Sequence, residues 1–433
     1  MPQLLLGQTL SFKSNPWQVP PEEAVRHIRH GAVLVEGGKI SEVGAADRLI
    51  AAHPQAKITD HGRALIMAGF VDSHAHFSQT AIIASWGKRL IDWLNTYTFP
   101  EESRFIDPAY AAKVANTYLD LNLSNGITTA CAYCTIHPES VDAYFSAAQA
   151  RGLRMLGGKV MMDRNAPDTL RDTAQSGYDD SKALLDKWHG RGRLSYTITP
   201  RFAPTSTPAQ LEATGALWAE HPDCLMQTHL SEQHEELAWV RELFPDHGDY
   251  LAVYEHFGLL GPGAIMGHSI YLSDREWDAI RDASASIAHC PTSNAFIGSG
   301  LFHATRAHAA GIRTGLATDV GGGSSFSMLR TMASAYEIGQ LKGDALHPAQ
   351  LLYMATVGSA EALHIGDKVG NLEAGKEADI IAIDLASTPV ITQRVAEADS
   401  LWEAIFPTIM LGDDRAIKAT YIAGLRQVAG ERL

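Results

Sequence analysis

The sequence contains few cysteines and no long apolar run. Four cysteines in 433 residues cannot form a disulfide framework, so we expect the chain to reside in a reducing cytoplasm. No apolar stretch approaches the length of a membrane span, and Met1–Leu4 lacks the basic start of an export signal. With 35 basic against 49 acidic residues, the net charge of -14 argues against nucleic acid and membranes as partners. A small neutral molecule is the class of partner that this charge leaves open.

Both ends of the sequence have the pattern of short β-strands joined at glycines. Near the start, Ala32–Val43 has a hairpin pattern with its turn at a Gly-Gly pair. Near the end, strand patterns cover Ala378–Leu385 and Ala419–Val428. Neither end can bury its apolar face well alone. We therefore predict that residues 1–65 and 368–433 pair into one small β-sandwich-like domain.

Between these ends, residues 66–367 alternate between strand-like and helical patterns. Eight strand candidates end near His76, Tyr133, Lys159, Arg201, His229, His268, His289 and Asp319. Amphipathic segments fill the gaps at 111–123, 140–151, 181–189, 208–219 and 235–244. Eight βα units over about 250 residues predict an α/β fold of the (β/α)8 TIM-barrel type. A Rossmann-like open sheet is the competing layout, but no G-x-G-x-x-G follows a strand.

The segment after the first predicted barrel strand, residues 78–105, is long and aromatic. It contains Trp86, Trp93, Tyr97, Phe99 and Phe105. A segment that leaves the carboxyl end of a barrel strand lies over the barrel mouth, where active sites are built. The segment could instead pack against the small domain. We favour a lid that lines a pocket.

Two histidines, His74 and His76, end the first predicted barrel strand. Side chains two residues apart on a strand point to the same side. Two neutral imidazoles on one face form half of a zinc site. The alternative is a pair of surface histidines on a polar loop. The apolar run that leads into them, Phe70-Val71, favours the ligand pair.

Other predicted strand ends supply the rest of a metal site. His229, His268 and Asp319 each follow an apolar strand pattern. Histidine nitrogens and a carboxylate suit zinc, although iron takes the same ligands. A catalytic zinc keeps a position for water and lowers its pKa to about 7. We expect His268 to contact the water rather than to be a fourth histidine ligand, because Asp319 already supplies a carboxylate.

Glu232 lies three residues beyond His229, on the first turn after the predicted strand. A carboxyl group there can move protons between water and a leaving group. The structural alternative is a capping-box or first-turn acid of the following helix. Beside a metal ligand, the catalytic interpretation is favoured.

Four further features carry weaker signals. His289 is equally well explained as a structural histidine or a substrate contact. Cys131 and Cys134 form a lone C-x-x-C with no second pair, which is typical of buried apolar cysteines. Lys159 could be a packed lysine or, as a carbamate, a bridge between two metals. Residues 321–325 are glycine-rich but lack the lysine of a P-loop, which indicates room for a close approach to Asp319.

The motifs together resemble the amidohydrolase superfamily, over nearly the whole chain. They are Gly69-Phe-Val-Asp-x-His-x-His76, His229-x-x-Glu232, Gly267-His268 and Thr318-Asp319. A closer resemblance is to the members that deaminate guanine. Its segments are His76–Gln79, Trp93–Pro100, Pro200–Pro204, His289–Asn294 and the loop that starts at Asp319, of which Trp93–Pro100 is the most specific.

The resemblance implies zinc-dependent conversion of guanine to xanthine and ammonia by a homodimer in purine catabolism. It implies one zinc on His74, His76, His229 and Asp319, and proton transfers through Glu232, His268 and Asp319. It also implies that the purine is held by Gln79, Trp93, Leu94, Arg201 and Phe202. An arginine can donate to a purine carbonyl, an amide can donate and accept, and a phenylalanine offers a stacking face.

Three alternatives remain open from the sequence. The same ligand set serves deaminases and dechlorinases of pterins, triazines or cytosine. A binuclear lactam hydrolase would use Lys159 and two metals. A non-catalytic metal-binding scaffold is the non-enzyme alternative, but a closed structural zinc site would need no Glu232.

Overall fold

A computed structural model describes residues 2–86 and 89–427, and the first sheet in it joins both ends of the chain. Its strands are β1 Gln3–Phe12, β2 Val25–Glu36, β3 Lys39–Ala45, β4 Lys57–Ala68, β14 Ile380–Ile383, β15 Ile417–Ile422 and β16 Leu425–Gln427. Their order across the sheet is β16-β15-β14-β4-β1-β2-β3. The sheet predicted from the two termini is therefore confirmed. Residues 1 and 428–433 of the predicted small domain lie outside the described residues.

The second sheet is a parallel barrel. Its strands are β5 Phe70–His76, β6 Ile127–Tyr133, β7 Arg154–Gly158, β8 Val160–Met161, β9 Ser195–Pro200, β10 Leu225–Leu230, β11 Ala264–His268, β12 Ser286–His289 and β13 Thr314–Leu316. The short strands β7 and β8 flank Lys159 and both pair with β9, so together they fill one barrel position. The ring is nearly closed where the Asp319 amide donates to the His74 carbonyl at 3.0 Å. The barrel prediction is confirmed, and the open-sheet alternative is wrong.

Five of the helices correspond to the five predicted amphipathic segments, and all five lie between barrel strands. The helices are α1 Pro21–Ala24, α2 Ala46–Ala52, α3 Leu90–Trp93, α4 Phe99–Glu102, α5 Pro108–Ser124, α6 Pro138–Ala150, α7 Ala174–Trp188, α8 Pro208–Glu220, α9 His234–Leu243, α10 Tyr250–His256, α11 Asp274–Asp282, α12 Pro291–Phe296, α13 Ala304–Ala309, α14 Met328–Lys342, α15 Pro348–Tyr353, α16 Ser359–Ala362, α17 Pro389–Ala396 and α18 Leu401–Leu411. Several begin at a capping side chain followed by proline: Asp107 accepts from the Ala109 amide at 2.9 Å, with Pro108 between them. None of the described helices is long and apolar enough to cross a membrane.

Both faces of the barrel strands are covered, and every residue of β5 and β6 is buried. This is the burial expected of parallel strands lined by helices on the outside. The small sheet has its own apolar cluster, which includes Leu5, Val33 and Ile380. Arg154 and Arg193 from the barrel both pair with Glu377, which also forms a β-bridge to Lys39 and so ties the small sheet to the barrel.

Candidate active site

Four side chains from two barrel strands, β5 and β10, and the segment after β13 converge at the carboxyl ends of the strands. The Nε2 atoms of His76 and His229 lie 3.2 Å apart. Asp319 Oδ1 lies 3.3 Å from His74 Nε2 and 3.4 Å from His76 Nε2. One ligand atom from each of these residues lies within 4.8 Å of the others. The structure thus brings together the four residues that the sequence predicted as metal ligands.

The donor set and its spacing fit zinc. Two ligands of a tetrahedral zinc, each about 2.0–2.1 Å from the ion, are themselves about 3.4 Å apart. The observed separations between the ring nitrogens and the carboxylate oxygen have this size. His229 Nδ1 donates a hydrogen bond to the Arg201 carbonyl at 2.7 Å. The other ring nitrogen, Nε2, therefore carries no proton, and its lone pair can bind a metal.

The protonation states of these residues suit a metal site as well. Burial lowers the pKa of His74, His76 and His229, so all three imidazoles are neutral. Burial alone would raise the pKa of Asp319, but a hydrogen bond from His74 and the nearby His268 outweigh it and hold that pKa low. Neutral imidazoles and an ionised carboxylate are the forms that bind metal.

His268 stands beside the four-residue cluster. Its Nε2 lies 3.5 Å from Glu232 Oε2 and 3.6 Å from Asp319 Oδ2, while its Nδ1 donates to Asn294 Oδ1 at 2.8 Å. A second candidate ligand set contains His268 together with Cys290. However, burial raises the pKa of the Cys290 thiol well above its usual value, which disfavours the thiolate.

Glu232 is fully buried beside His268 and does not serve as the helix cap. Its Oε1 accepts a hydrogen bond of 2.7 Å from Ser299, and burial raises the pKa of its carboxyl group. The capping box of α9 is formed by Gln233 and Glu236 instead. The capping alternative for Glu232 is therefore wrong, which leaves this carboxyl free to face the cavity.

The site opens into a cavity. Its lining includes all five predicted substrate-binding residues, Gln79, Trp93, Leu94, Arg201 and Phe202. The cavity also contacts residues of the metal cluster and its neighbours: His76, His229, Glu232, His268 and Asp319. Four other lining residues were given no substrate role by the sequence analysis, although three lie in segments that it singled out: Leu90, Ser293, Ile297 and Gly322.

The aromatic segment 78–105 divides between the pocket and the core. Trp93 and Leu94 line the cavity, as the lid prediction requires. Phe105, in contrast, is buried against Phe77 with ring centroids 5.5 Å apart. Trp86 is 87% exposed. Residues 87 and 88 of this segment lie outside the described residues.

The weaker sequence candidates are accounted for by other contacts. The Lys159 ammonium group lies 2.6 Å from Asp172 in a buried ion pair, which fits the packed lysine of the first alternative. Burial lowers the pKa of His289 to about 3, and its ring packs on Phe302 at 4.6 Å. Cys131 and Cys134 are buried free thiols.

Comparison with known proteins gives the family. The model of the "Amidohydrolase family" matches residues 65–426. The chain belongs to the amidohydrolase family. The sequence of this amidohydrolase is 43% identical to the guanine deaminase of Escherichia coli (strain K12) over 408 residues, which cover 93% of each chain. The family predicted from the motifs is thereby confirmed.

Solved structures agree with the sequence relatives. The structure of E. coli guanine deaminase matches this amidohydrolase with a TM-score of 0.96 and 41% identity, over 99% of this chain and 100% of that one. A guanine deaminase from C. acetobutylicum with bound guanine in the active site matches with a TM-score of 0.89 and 29% identity. The latter match covers 98% of this chain and 100% of that one.

Proposed function

We propose that this amidohydrolase is a guanine deaminase that converts guanine and water into xanthine and ammonia. The observation that carries the proposal is one cavity lined both by metal-ligand residues and by the Gln79 amide and the Arg201 guanidinium. The guanine deaminases of similar sequence and structure support it. The scaffold alternative is not favoured, because Glu232 and His268 add proton-transfer groups that a structural site does not need.

The purine is held by polar groups on one side and an aromatic ring on the other. Arg201 donates to the ring carbonyl, and the Gln79 amide pairs with the ring nitrogens. Phe202, which is buried just after β9, offers its face or edge to the heterocycle. An analogue without the matching groups would leave these buried donors unpaired, which costs binding energy.

The four residues His74, His76, His229 and Asp319 hold the metal, which we propose to be one zinc ion. A bound zinc lowers the pKa of a coordinated water towards neutrality. Asp319 takes up the proton of the attacking water at Oδ2, the oxygen that faces His268. His268 orients the water, with its own ring fixed by Asn294.

Glu232 carries the proton transfers to the substrate. The raised pKa of this buried carboxyl group suits a general acid. Glu232 gives a proton to the ring nitrogen next to the carbon that bears the amine. The water oxygen bonds to that carbon, and Glu232 takes up the remaining hydroxyl proton as the new carbonyl forms. The carbon–amine bond then breaks, and the amine leaves as ammonia with the proton that Asp319 took from the water.

Incubation with guanine tests this proposal. Protein of known metal content is given guanine, and xanthine and ammonia are measured over time. Pterins, triazines and cytosine are run in parallel as competing substrates. Turnover of guanine well above that of the other heterocycles supports the proposal. A preference for another heterocycle would show that guanine is not the substrate. Iron in place of zinc would be identified by metal analysis of the same sample.

The proposal extends to the setting of the enzyme. A role in purine catabolism follows from the reaction, and a homodimer is supported by the family resemblance. A cytoplasmic location is supported by cysteines that are all free and buried. The proposed domain limits, residues 1–65 with 368–433 and residues 66–367, are supported by the two separate sheets.

A further inference from the structure

Glu102, at the end of α4, connects the two polar residues that hold the substrate. Its Oε1 accepts from Gln79 Nε2 at 3.0 Å, and its Oε2 accepts from Arg201 Nη1 at 2.7 Å. The side chain of Glu102 has no exposed surface, and that of Arg201 is 4% exposed. No motif of the sequence pointed to this residue.

These contacts fix how Gln79 and Arg201 face a ligand. The Gln79 amide is held at both ends, because its Oε1 also accepts from the Gly321 amide at 3.3 Å. It therefore keeps one N–H and one lone pair for a ligand, in a single orientation. Arg201 commits one nitrogen to Glu102 and keeps its other N–H donors for a carbonyl oxygen.

Glu102 also cancels the charge of Arg201. A buried guanidinium without a partner would attract anions strongly, because charges act over longer distances where water is excluded. Paired at 2.7 Å, the two side chains are neutral together while the guanidinium still donates hydrogen bonds.

Substrate and product differ in charge as well as in shape. Guanine is a neutral heterocycle with an exocyclic amine. Its deamination product carries a second carbonyl group in place of that amine, and the ring N–H between the two carbonyls becomes an acidic imide. Above the pKa of this imide, the product is an anion, whereas the substrate is not.

We propose that Glu102 is a specificity-determining residue that orients Gln79 and Arg201 and neutralises Arg201, so that the pocket takes a neutral purine and releases the anionic product. The inference rests on the proposed function. Glu102 does not touch the reacting atoms in this role. It acts through the two side chains that it holds.

Two variants of Glu102 separate charge from orientation. Glu102→Gln removes the charge and keeps an acceptor, and Glu102→Asp keeps the charge but is too short to reach both partners. The matched control is Glu101→Gln, since Glu101 is also buried but contacts Arg104 and Tyr110 instead. For each protein, xanthine affinity is measured by calorimetry below and above the imide pKa, and guanine kcat and KM are measured at neutral pH.

At a pH above the imide pKa, we expect Glu102→Gln to bind xanthine more tightly than the parent does. Its Kd should be at least about tenfold lower, which corresponds to roughly 1.4 kcal/mol. Below that pKa, the two proteins should differ much less. Glu102→Asp should respond to pH as the parent does but lose about tenfold in kcat/KM, mostly through KM. Glu101→Gln should match the parent in both measurements.

Equal xanthine affinities of the parent and Glu102→Gln above the imide pKa would overturn the charge assignment. If Glu102→Gln does not fold, Glu102→Asp carries the test, and unchanged kcat/KM in that variant would overturn the orienting role. A parent protein that forms no xanthine from guanine would refute the proposed function itself. If the parent forms xanthine and both Glu102 variants behave as the parent does, the inference about Glu102 is refuted while the proposed function stands.

Discussion

Ser299 Oγ donates a hydrogen bond of 2.7 Å to Glu232 Oε1, the carboxyl oxygen that does not face His268. The same hydroxyl accepts from Gln233 Nε2 at 3.1 Å, so it is itself held in place. All of these side chains are buried. The contact fixes the rotation of the Glu232 carboxyl group and directs its other oxygen towards His268.

Removing this hydroxyl should therefore impair turnover without loss of metal. For Ser299→Ala we expect kcat for guanine to fall about tenfold, the cost of one charge-assisted hydrogen bond. The control is Ser206→Ala, because that buried hydroxyl donates to Gln210 at 2.8 Å, away from the cavity. An unchanged kcat in Ser299→Ala would show that Glu232 needs no such anchor.

Glu232→Gln should separate metal binding from proton transfer. The amide keeps the size of the side chain but cannot deliver a proton, so kcat should fall about 100-fold or more. Metal content should match the parent, because Glu232 is not in the ligand cluster. Glu276→Gln is a control at another buried glutamate, which caps α11. Near-normal turnover by Glu232→Gln with metal retained would remove Glu232 from the mechanism.

Gly267 makes room for His74. A Cβ atom at Gly267 would lie 2.9 Å from His74 Cε1 and 3.1 Å from its Nδ1, so one of the two must shift. We expect Gly267→Ala to lose metal and activity together while circular dichroism remains unchanged. Gly248→Ala is the control, since a Cβ there meets nothing within 4 Å. Full metal occupancy in Gly267→Ala would show that the His74 ring is not held so tightly.

The buried carboxyl group of Glu236 should make stability depend on pH. Burial and the neighbouring Glu232 raise the pKa of Glu236 from 4.5 to about 7. Between these pH values the folded protein keeps a proton that the unfolded chain has released, so the free energy of unfolding falls as pH rises. Above pH 7 the loss is complete, at roughly 3 kcal/mol.

Glu236→Gln removes this titration. Relative to the parent, its free energy of unfolding should increase by about 3 kcal/mol between pH 4.5 and pH 8. Urea unfolding at several pH values, with equal metal loading, measures the difference, and Glu397→Gln serves as an exposed control. A difference that stays constant with pH, or changes in the opposite direction, would contradict the shifted pKa.

The sequence was sufficient for the barrel and for the residues that cluster as candidate metal ligands, because their strand ends are encoded locally. Each strand pattern ended close to a residue that could be identified by type, such as His76, His229 or Asp319. Parallel strands in a barrel place those ends at one rim. Ligands far apart in sequence could thus be assigned to one site before any distance was known.

Other parts of the site depend on long-range geometry that no pattern encodes. Glu102 reaches Arg201 only because α4 folds back over the barrel mouth, and Ser299 reaches Glu232 from a loop after α12. His268 and Asp319 adopt φ values of 64° and 48°, which are unusual for residues with side chains. Such conformations are over-determined by their surroundings, and they cluster at functional sites.

The insertion between β14 and β15 was also missed. Helices α17 and α18 lie there, although the sequence analysis assigned no element to residues 389–411. Pro407 interrupts the helical pattern within α18, and proline normally argues against a helix interior. The packing of Phe406 on Tyr336 of α14, with ring centroids 4.9 Å apart, shows how tertiary contacts support the helix.

The most direct test of the account is a metal titration followed by xanthine formation. The protein is stripped with a chelator, zinc is added back in steps, and the rate with guanine is measured at each ratio of zinc to protein. We predict no turnover in the stripped protein and a linear rise that ends at one zinc per chain, as expected for one ion held by His74, His76, His229 and Asp319. Xanthine formation without metal, or none at any zinc ratio, would contradict the account, and a rise that continues to two zinc ions per chain would contradict the single site.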